Sequence, residues 1–324
     1  MLKTILQWLY WYPFRTFAQT LSFRYLYGIG KVSGIILSHF FAGKKRLFRQ
    51  ELERNFSGSL PGLDPDKTIQ NTFINKLQTE LEVLIFPRLN SANIASVIKY
   101  RGLEHLDTAL SKGKGVMLLF SHFGANQMIM PAIGYKGYTM NQLSAPPMVW
   151  VEKLPHKKFS MIEKKALSIR WEHELSLPVK HINIFGSLKD ALLCLKRNEI
   201  LGIAIDGGGG KERIEVDFLG RKALFSTGAL EIAVRTGCAV LPVFMVRDKK
   251  GFNTIIFPGD LKRTLLSQKF LDEQNEQRNG QPLEMIMLPN DLWSKESGYR
   301  TLSRAGKGMS SIFSMALSVS LWVT

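Results

Sequence analysis

Two short apolar runs, Val116 to Phe120 and Ile200 to Ile205, each stop at residues able to do chemistry. A strand that offers no polar position cannot face water on either side, so it belongs in a parallel sheet covered by helices on both faces. The first run follows Lys112-Gly113-Lys114-Gly115, a turn composition. Between and after the runs lie helical patterns. Ser187 to Arg197 sets Leu188, Ala191, Leu192 and Leu195 at helical spacing, with Ser187 as the expected N-cap. Ala229 to Thr236 reads as a second helix, with Ser226 and Thr227 as capping candidates and Gly237 closing it. Val240 to Phe244 and Thr254 to Phe257 read as further strands, and Pro242 sets the former near an edge or a strand end. Strands alternating with helices predict the α/β class, with a layered α/β/α sheet.

The opening of the chain is of another character. Residues 1–50 hold no Asp or Glu and eight Lys or Arg, half of the net charge of +16. Trp8, Tyr10, Trp11, Tyr12, Phe14, Phe17, Phe23, Tyr25, Tyr27, Phe40 and Phe41 are interleaved with that charge. Rings at headgroup depth beside cations suit an anionic membrane surface. A helical hairpin packed into the protein's own core is the competing expectation. The most apolar stretch, Tyr25 to Gly43, is broken by Lys31 and by glycines, and makes a marginal membrane span. No small-x-small cleavage site follows, against a cleaved signal. Nucleic acid is not an expected partner, because no zinc-finger or RNP-like motif accompanies the charge.

The 324 residues allow one large or two small domains. Ser57-Gly58-Ser59-Leu60-Pro61-Gly62 is the one soft boundary. The expected organisation is a membrane-associating helical region over 1–56, an α/β domain over 63–290, and an atypical tail over 291–324. Two cysteines, Cys194 and Cys238, are too few for a disulfide framework or a cysteine-built zinc site, which fits a reducing, cytoplasm-facing location. No metal or cofactor is expected.

In open α/β sheets ligands sit beyond the carboxyl ends of strands. After the first run comes Ser121-His122-Phe123-Gly124-Ala125-Asn126-Gln127; after the second, Asp206-Gly207-Gly208-Gly209-Gly210-Lys211. His122 can act as a general base held in one tautomer by Gln127, or can merely cap the next helix. Asp206 and its glycines can crowd backbone N–H groups around a phosphate or an oxyanion, with Gly207, Gly208 and Lys211 as the binding candidates, or can form an ordinary turn. The Walker pattern fails, because Ile205 stands where its first glycine belongs and Glu212 follows the lysine. Should the two strands pair, Asp206 is also the best acidic partner for His122. Phe123, Met128, Ile129, Met130 and Phe225 are candidates for an acyl channel, although ordinary core is the first expectation for any one of them.

The block around His122 resembles the His-x4-Asp/Glu motif of glycerolipid-type acyltransferases. The order of blocks is similar to the late acyltransferases of lipid A biosynthesis, the lauroyl and myristoyl transferases. Lys44-Lys45-Arg46 and Glu53-Arg54-Asn55-Phe56 resemble that family's opening. Asp206, Phe218 to Ala223, Ser226-Thr227-Gly228 and Gly237 to Phe244 resemble its second conserved region. The resemblance covers roughly residues 1–260. It implies a membrane-associated transferase in which His122 takes the proton of an acceptor hydroxyl that attacks an acyl carrier protein or acyl-CoA thioester. It also implies that Lys180, in Val179-Lys180-His181, meets a donor phosphate or an oxyanion, unless it is simply a solvated lysine. Two departures are plain. Gln127 stands where the family has its acid, and no aromatic, basic helix is visible after Asp291, as in a divergent or altered terminus.

The expected activity is transfer of a fatty acyl chain to a hydroxyl or amine of an amphiphilic lipid or glycolipid, on the cytoplasmic face of the inner membrane. A catalytically silent lipid-binding protein on the same fold is the alternative, resting on Gln127.

Overall fold

The protein is seen in a computed structural model that describes residues 2–56, 64–122, 124–153, 159–206, 213–218, 221–248 and 252–258. The N-terminal half opens with α1 (Leu2–Leu9), α2 (Arg15–Ala18), α3 (Phe23–Phe40), α4 (Ala42–Phe56) and α5 (Pro65–Ile85). It continues through α6 (Ile94–Val97), β1 (Ile98–Arg101), α7 (Leu103–Leu110), β2 (Val116–Phe120), α8 (Ile129–Gly134), β3 (Met140–Ser144) and α9 (Pro147–Lys153). Then follow α10 (Met161–Leu175), β4 (Val179–Asn183), α11 (Lys189–Lys196), β5 (Ile200–Ala204) and the strands β6 (Arg213–Phe218) and β7 (Arg221–Ser226). The last described elements are α12 (Gly228–Thr236), β8 (Ala239–Pro242), β9 (Phe244–Arg247) and β10 (Asn253–Ile256).

The two apolar runs lie side by side. The main sheet has the order β4-β3-β5-β2-β8, every pairing parallel, with Val116 opposite Ile200 and Phe120 opposite Ala204. Because successive side chains alternate, Val116, Leu118 and Phe120 enter one buried cluster while Met117 enters another. The first cluster collects Val83 and Phe86 beneath α5 together with Met128, Ile129, Met130 and Ile133; the second packs Ala191, Cys194 and Leu195 of α11 and Ile232 of α12. Helices on both faces thus remove β2 and β5 from water, as their composition requires. Met128, Ile129 and Met130 are ordinary core, and Phe225 is partly exposed on β7.

Local chemistry sets the helix boundaries. Asp64 caps α5, accepting from Asp66 N–H at 2.9 Å and Lys67 N–H at 3.2 Å, with Pro65 in the first turn. A capping box of Ser160 and Glu163 opens α10. Ser187 accepts from Lys189 N–H at 3.2 Å, although Leu188 holds the N-cap position of α11. Gly237 ends α12 at φ 64°, where a Cβ would be strained.

One expected strand is two. Val240 to Phe244 breaks at Val243: β8 stops at Pro242 on the edge of the main sheet, and β9 leaves for a second sheet of order β1-β10-β9. Pro242 has no N–H with which to continue the ladder. Val243 makes the last tie, donating its N–H to Leu119 O at 2.9 Å, before the chain turns away.

The N-terminal helices are built into the body. Leu26, Tyr27, Gly30, Gly34 and Ser38 line the buried face of α3 against α5. A Cβ at Gly34 would run into the backbone of Ile74, so these glycines let the two helix axes approach closely. Trp11, Ala18 and Leu26 share a core with Leu81, Leu84 and Ile85 of α5 and with Ala166 and Ile169 of α10. The opposite face is apolar too: Ile5, Trp8, Leu9, Phe17, Tyr25, Val32, Ile36 and Phe40 are all exposed, Tyr25 by 70% and Phe40 by 77%. Among the described residues, no helix is long and apolar enough to cross a membrane.

Candidate active site

Because β2 and β5 run parallel and in register, the residues following them emerge together. Ile205 N–H donates to Phe120 O at 2.9 Å, and His122, two residues beyond Phe120, meets Asp206, one beyond Ile205. The Asp206 carboxylate grips the histidine at two points. Its Oδ1 lies 2.8 Å from the ring Nδ1, and its Oδ2 accepts the His122 backbone N–H at 2.8 Å. A carboxylate can only accept, so Nδ1 carries the proton and the Nε2 lone pair is left for another partner. The His122 side chain is 39% exposed, so a substrate can reach it.

The residues after His122 are held equally firmly. Gly124, at φ 61°, takes a conformation that suits glycine, and a Cβ there would strike Met245 O. Ala125 donates its N–H to that same Met245 O at 3.1 Å. Gly124 O accepts from Asn75 Nδ2 at 3.1 Å and from Thr79 Oγ1 at 3.2 Å, both on α5. Behind them Arg247 and Glu82, almost wholly buried, form an ion pair at 2.8 Å. Tyr27 and Asn253 also donate to Glu82 Oε1, at 2.8 and 2.6 Å. Burial and the Glu82 charge push the Tyr27 hydroxyl well above its usual pKa, so it stays a donor.

Gln127 does not reach the histidine. It lies in a single 3-10 turn, Asn126–Met128, and its Oε1 is buried with no hydrogen-bond partner. The support that its position led one to expect comes from Asp206 instead. Lys180 is also apart. It lies on the edge strand β4 opposite Asn141, level with Met117, so about five residues of strand and three strand spacings, roughly 20 Å, separate it from His122. It faces solvent near Glu199, whose carboxyl the Arg197 guanidinium holds below its usual range, with a smaller contribution from Lys180. Phe123, Gly207, Gly208 and Lys211 lie outside the described residues, as does the segment after residue 258. Among the described residues, no group of three or more His, Cys, Asp or Glu is placed to hold a metal ion.

Asn75, Thr79, Glu82 and Arg247 were not singled out from the sequence. The available signal was two carboxylates, Glu80 and Glu82, inside the apolar stretch Leu77 to Ile85, where an acid must find a cation.

Fold and site together define an α/β protein whose main sheet is parallel and bears, at its carboxyl edge, a histidine bonded to a carboxylate. The chain belongs to the bacterial lipid A biosynthesis acyltransferase family, whose model matches residues 1–276. It is similar to a phosphatidylinositol mannoside acyltransferase of Mycobacterium tuberculosis (strain CDC 1551 / Oshkosh), 24% identical over 216 residues, 64% of this chain and 65% of the relative. The protein of the same name from strain H37Rv is 24% identical over 215 residues, again 64% and 65% of the two chains. The match thus spans somewhat less than two thirds of those relatives' length.

Proposed function

We propose that the protein moves a fatty acyl chain from an acyl carrier protein or acyl-CoA thioester to a hydroxyl, or an amine, of an amphiphilic lipid or glycolipid. His122 Nε2 takes the hydroxyl proton as the oxygen attacks the thioester carbon. The tetrahedral intermediate collapses, the C–S bond breaks, and the imidazolium returns the proton to the departing thiolate. Products are the acylated acceptor and a free thiol. Asp206 fixes the Nδ1–H tautomer and supports the transient imidazolium, as a triad acid does. The two-point grip of Asp206 on His122 is the observation that carries this reading. It also favours this reading over the silent lipid-binding alternative, because a carboxylate, absent at position 127, stands beside His122 at Asp206.

The work takes place, on this reading, at the cytoplasmic face of the inner membrane, with the exposed rings of the N-terminal helices on anionic lipid. A His122→Ala variant should keep its fold and lose acyl transfer by about 10²- to 10⁴-fold, measured as thiol release with an acyl-carrier or acyl-CoA donor. Transfer at near the parent rate would remove His122 from the mechanism.

A further inference from the structure

The loop that carries His122 is aimed by a cation 125 positions later in the chain. Arg247 presents its guanidinium to two side chains of α5: Nη1 donates to Asn75 Oδ1, and Nη2 donates to Thr79 Oγ1 at 3.3 Å. A guanidinium only donates, so it dictates what both partners do next. With its oxygen occupied, the Asn75 amide turns Nδ2 outward; with its lone pair occupied, the Thr79 hydroxyl points its hydrogen outward. Both hydrogens meet on one atom, Gly124 O. Glu82 holds the guanidinium from behind.

We infer that Arg247, Asn75 and Thr79 are positioning residues for the transfer reaction, and that they act through Gly124 O to fix the aim of His122. The segment is pinned from both sides. His122 N–H is tied to Asp206, while Gly124 O and Ala125 N–H are tied to α5 and β9. Freed at Gly124, the loop can turn about the Asp206 contact, and Nε2 moves off the line of the attacking hydroxyl. A displacement of about 1 Å costs transfer up to about a hundred-fold with little effect on binding. The inference rests on the proposed role of His122.

Thr79→Val keeps shape and removes the donor, and Thr79→Ser restores it. Asn75→Asp keeps the acceptor for Arg247 and removes the hydrogen aimed at Gly124. Thr79→Val and Asn75→Asp should each lower kcat by about ten- to a hundred-fold with KM for donor and acceptor unchanged, and Thr79→Ser should recover most of the rate. Added to His122→Ala, neither should lower the residual transfer further, since no base is left to aim. A parent-like kcat in both single variants, a defect confined to KM, or an equal loss with and without His122 overturns the positioning role while leaving His122 as base. If Thr79→Val fails to fold, the same readings on Asn75→Asp decide. If His122→Ala alone is fully active, the proposed function fails and this inference with it.

Discussion

At the scale of single residues, the proposed chemistry turns on one carboxylate serving two donors. Asp206 accepts from the ring and from the backbone of His122, one oxygen for each. In Asp206→Asn only one acceptor oxygen remains, an NH2 faces one of the two donors, and the negative charge is gone. Acyl transfer should fall by about 10²- to 10⁴-fold. Gln127→Glu, by contrast, places a carboxylate where the amide oxygen already lacks a donor, and should leave turnover no higher while lowering stability. Thiol-release assays on the two variants separate the cases; a Gln127→Glu enzyme faster than its parent would return the supporting role to that position. The pairing of His122 with Asp206 was legible from the sequence, since both close apolar runs that a parallel sheet sets side by side. That Gln127 stays apart was not legible. A one-turn 3-10 segment after Gly124, rather than a regular helix start, decides where the fifth residue points.

At the scale of elements, β2, β5, β8, α11 and α12 could be read from composition, because burial leaves an apolar signature, whereas β3 and β4, with Asn141, Gln142, Lys180 and His181, gave none. The break at Val243 could not, because a strand changing sheets keeps the same apolar composition on either side. The docking of α10 was equally hidden, since beside Ala166 and Ile169 it uses the polar contacts of Arg170 with Glu80 and of His173 with Val83. His173, buried on α10, lies with Nδ1 2.8 Å from Val83 O of α5. Burial lowers its pKa, and that of His181 on β4. As pH falls through about 6.5, the unfolded chain takes up protons that the folded one refuses, so stability drops in that window and is fully present above it. Urea midpoints should therefore decline between pH 7.5 and 5.5. His173→Gln should flatten the decline, and an unchanged slope would show that this histidine is not a source of it.

At the scale of the molecule, α3 is packed into the protein's own core on one side and keeps exposed the apolar residues on which the membrane proposal rests. One face is core, fitted to α5 through Gly30 and Gly34; the other carries Tyr25, Val32, Ile36 and Phe40 into the open, with Arg24 and Lys31 exposed beside them. Among the described residues no helix is long and apolar enough to cross a membrane, so the proposed lipid contact is one of exposed rings at the surface. Replacing Trp8, Phe17, Tyr25 and Phe40 together by serine should weaken binding to phosphatidylglycerol-containing vesicles by roughly a hundred-fold or more, with the fold retained. Co-sedimentation equal to that of the parent would place the membrane contact elsewhere. The second sheet has a consequence in time. Tyr27 and Asn253, bonded to each other at 3.0 Å, are separated by 226 positions, and Met245 and Arg247 belong to the same late segment. During synthesis His122 leaves the ribosome long before the strand that restrains its loop, and α5 emerges with Glu82 lacking its cation. Pairing of β9 and β10 with β1 is a late, non-local closure, the kind that slows folding. On the proposed mechanism, until it occurs the nascent chain carries His122 without the contacts that aim it, so the ability to transfer arrives with β9 and β10 rather than accumulating along the way.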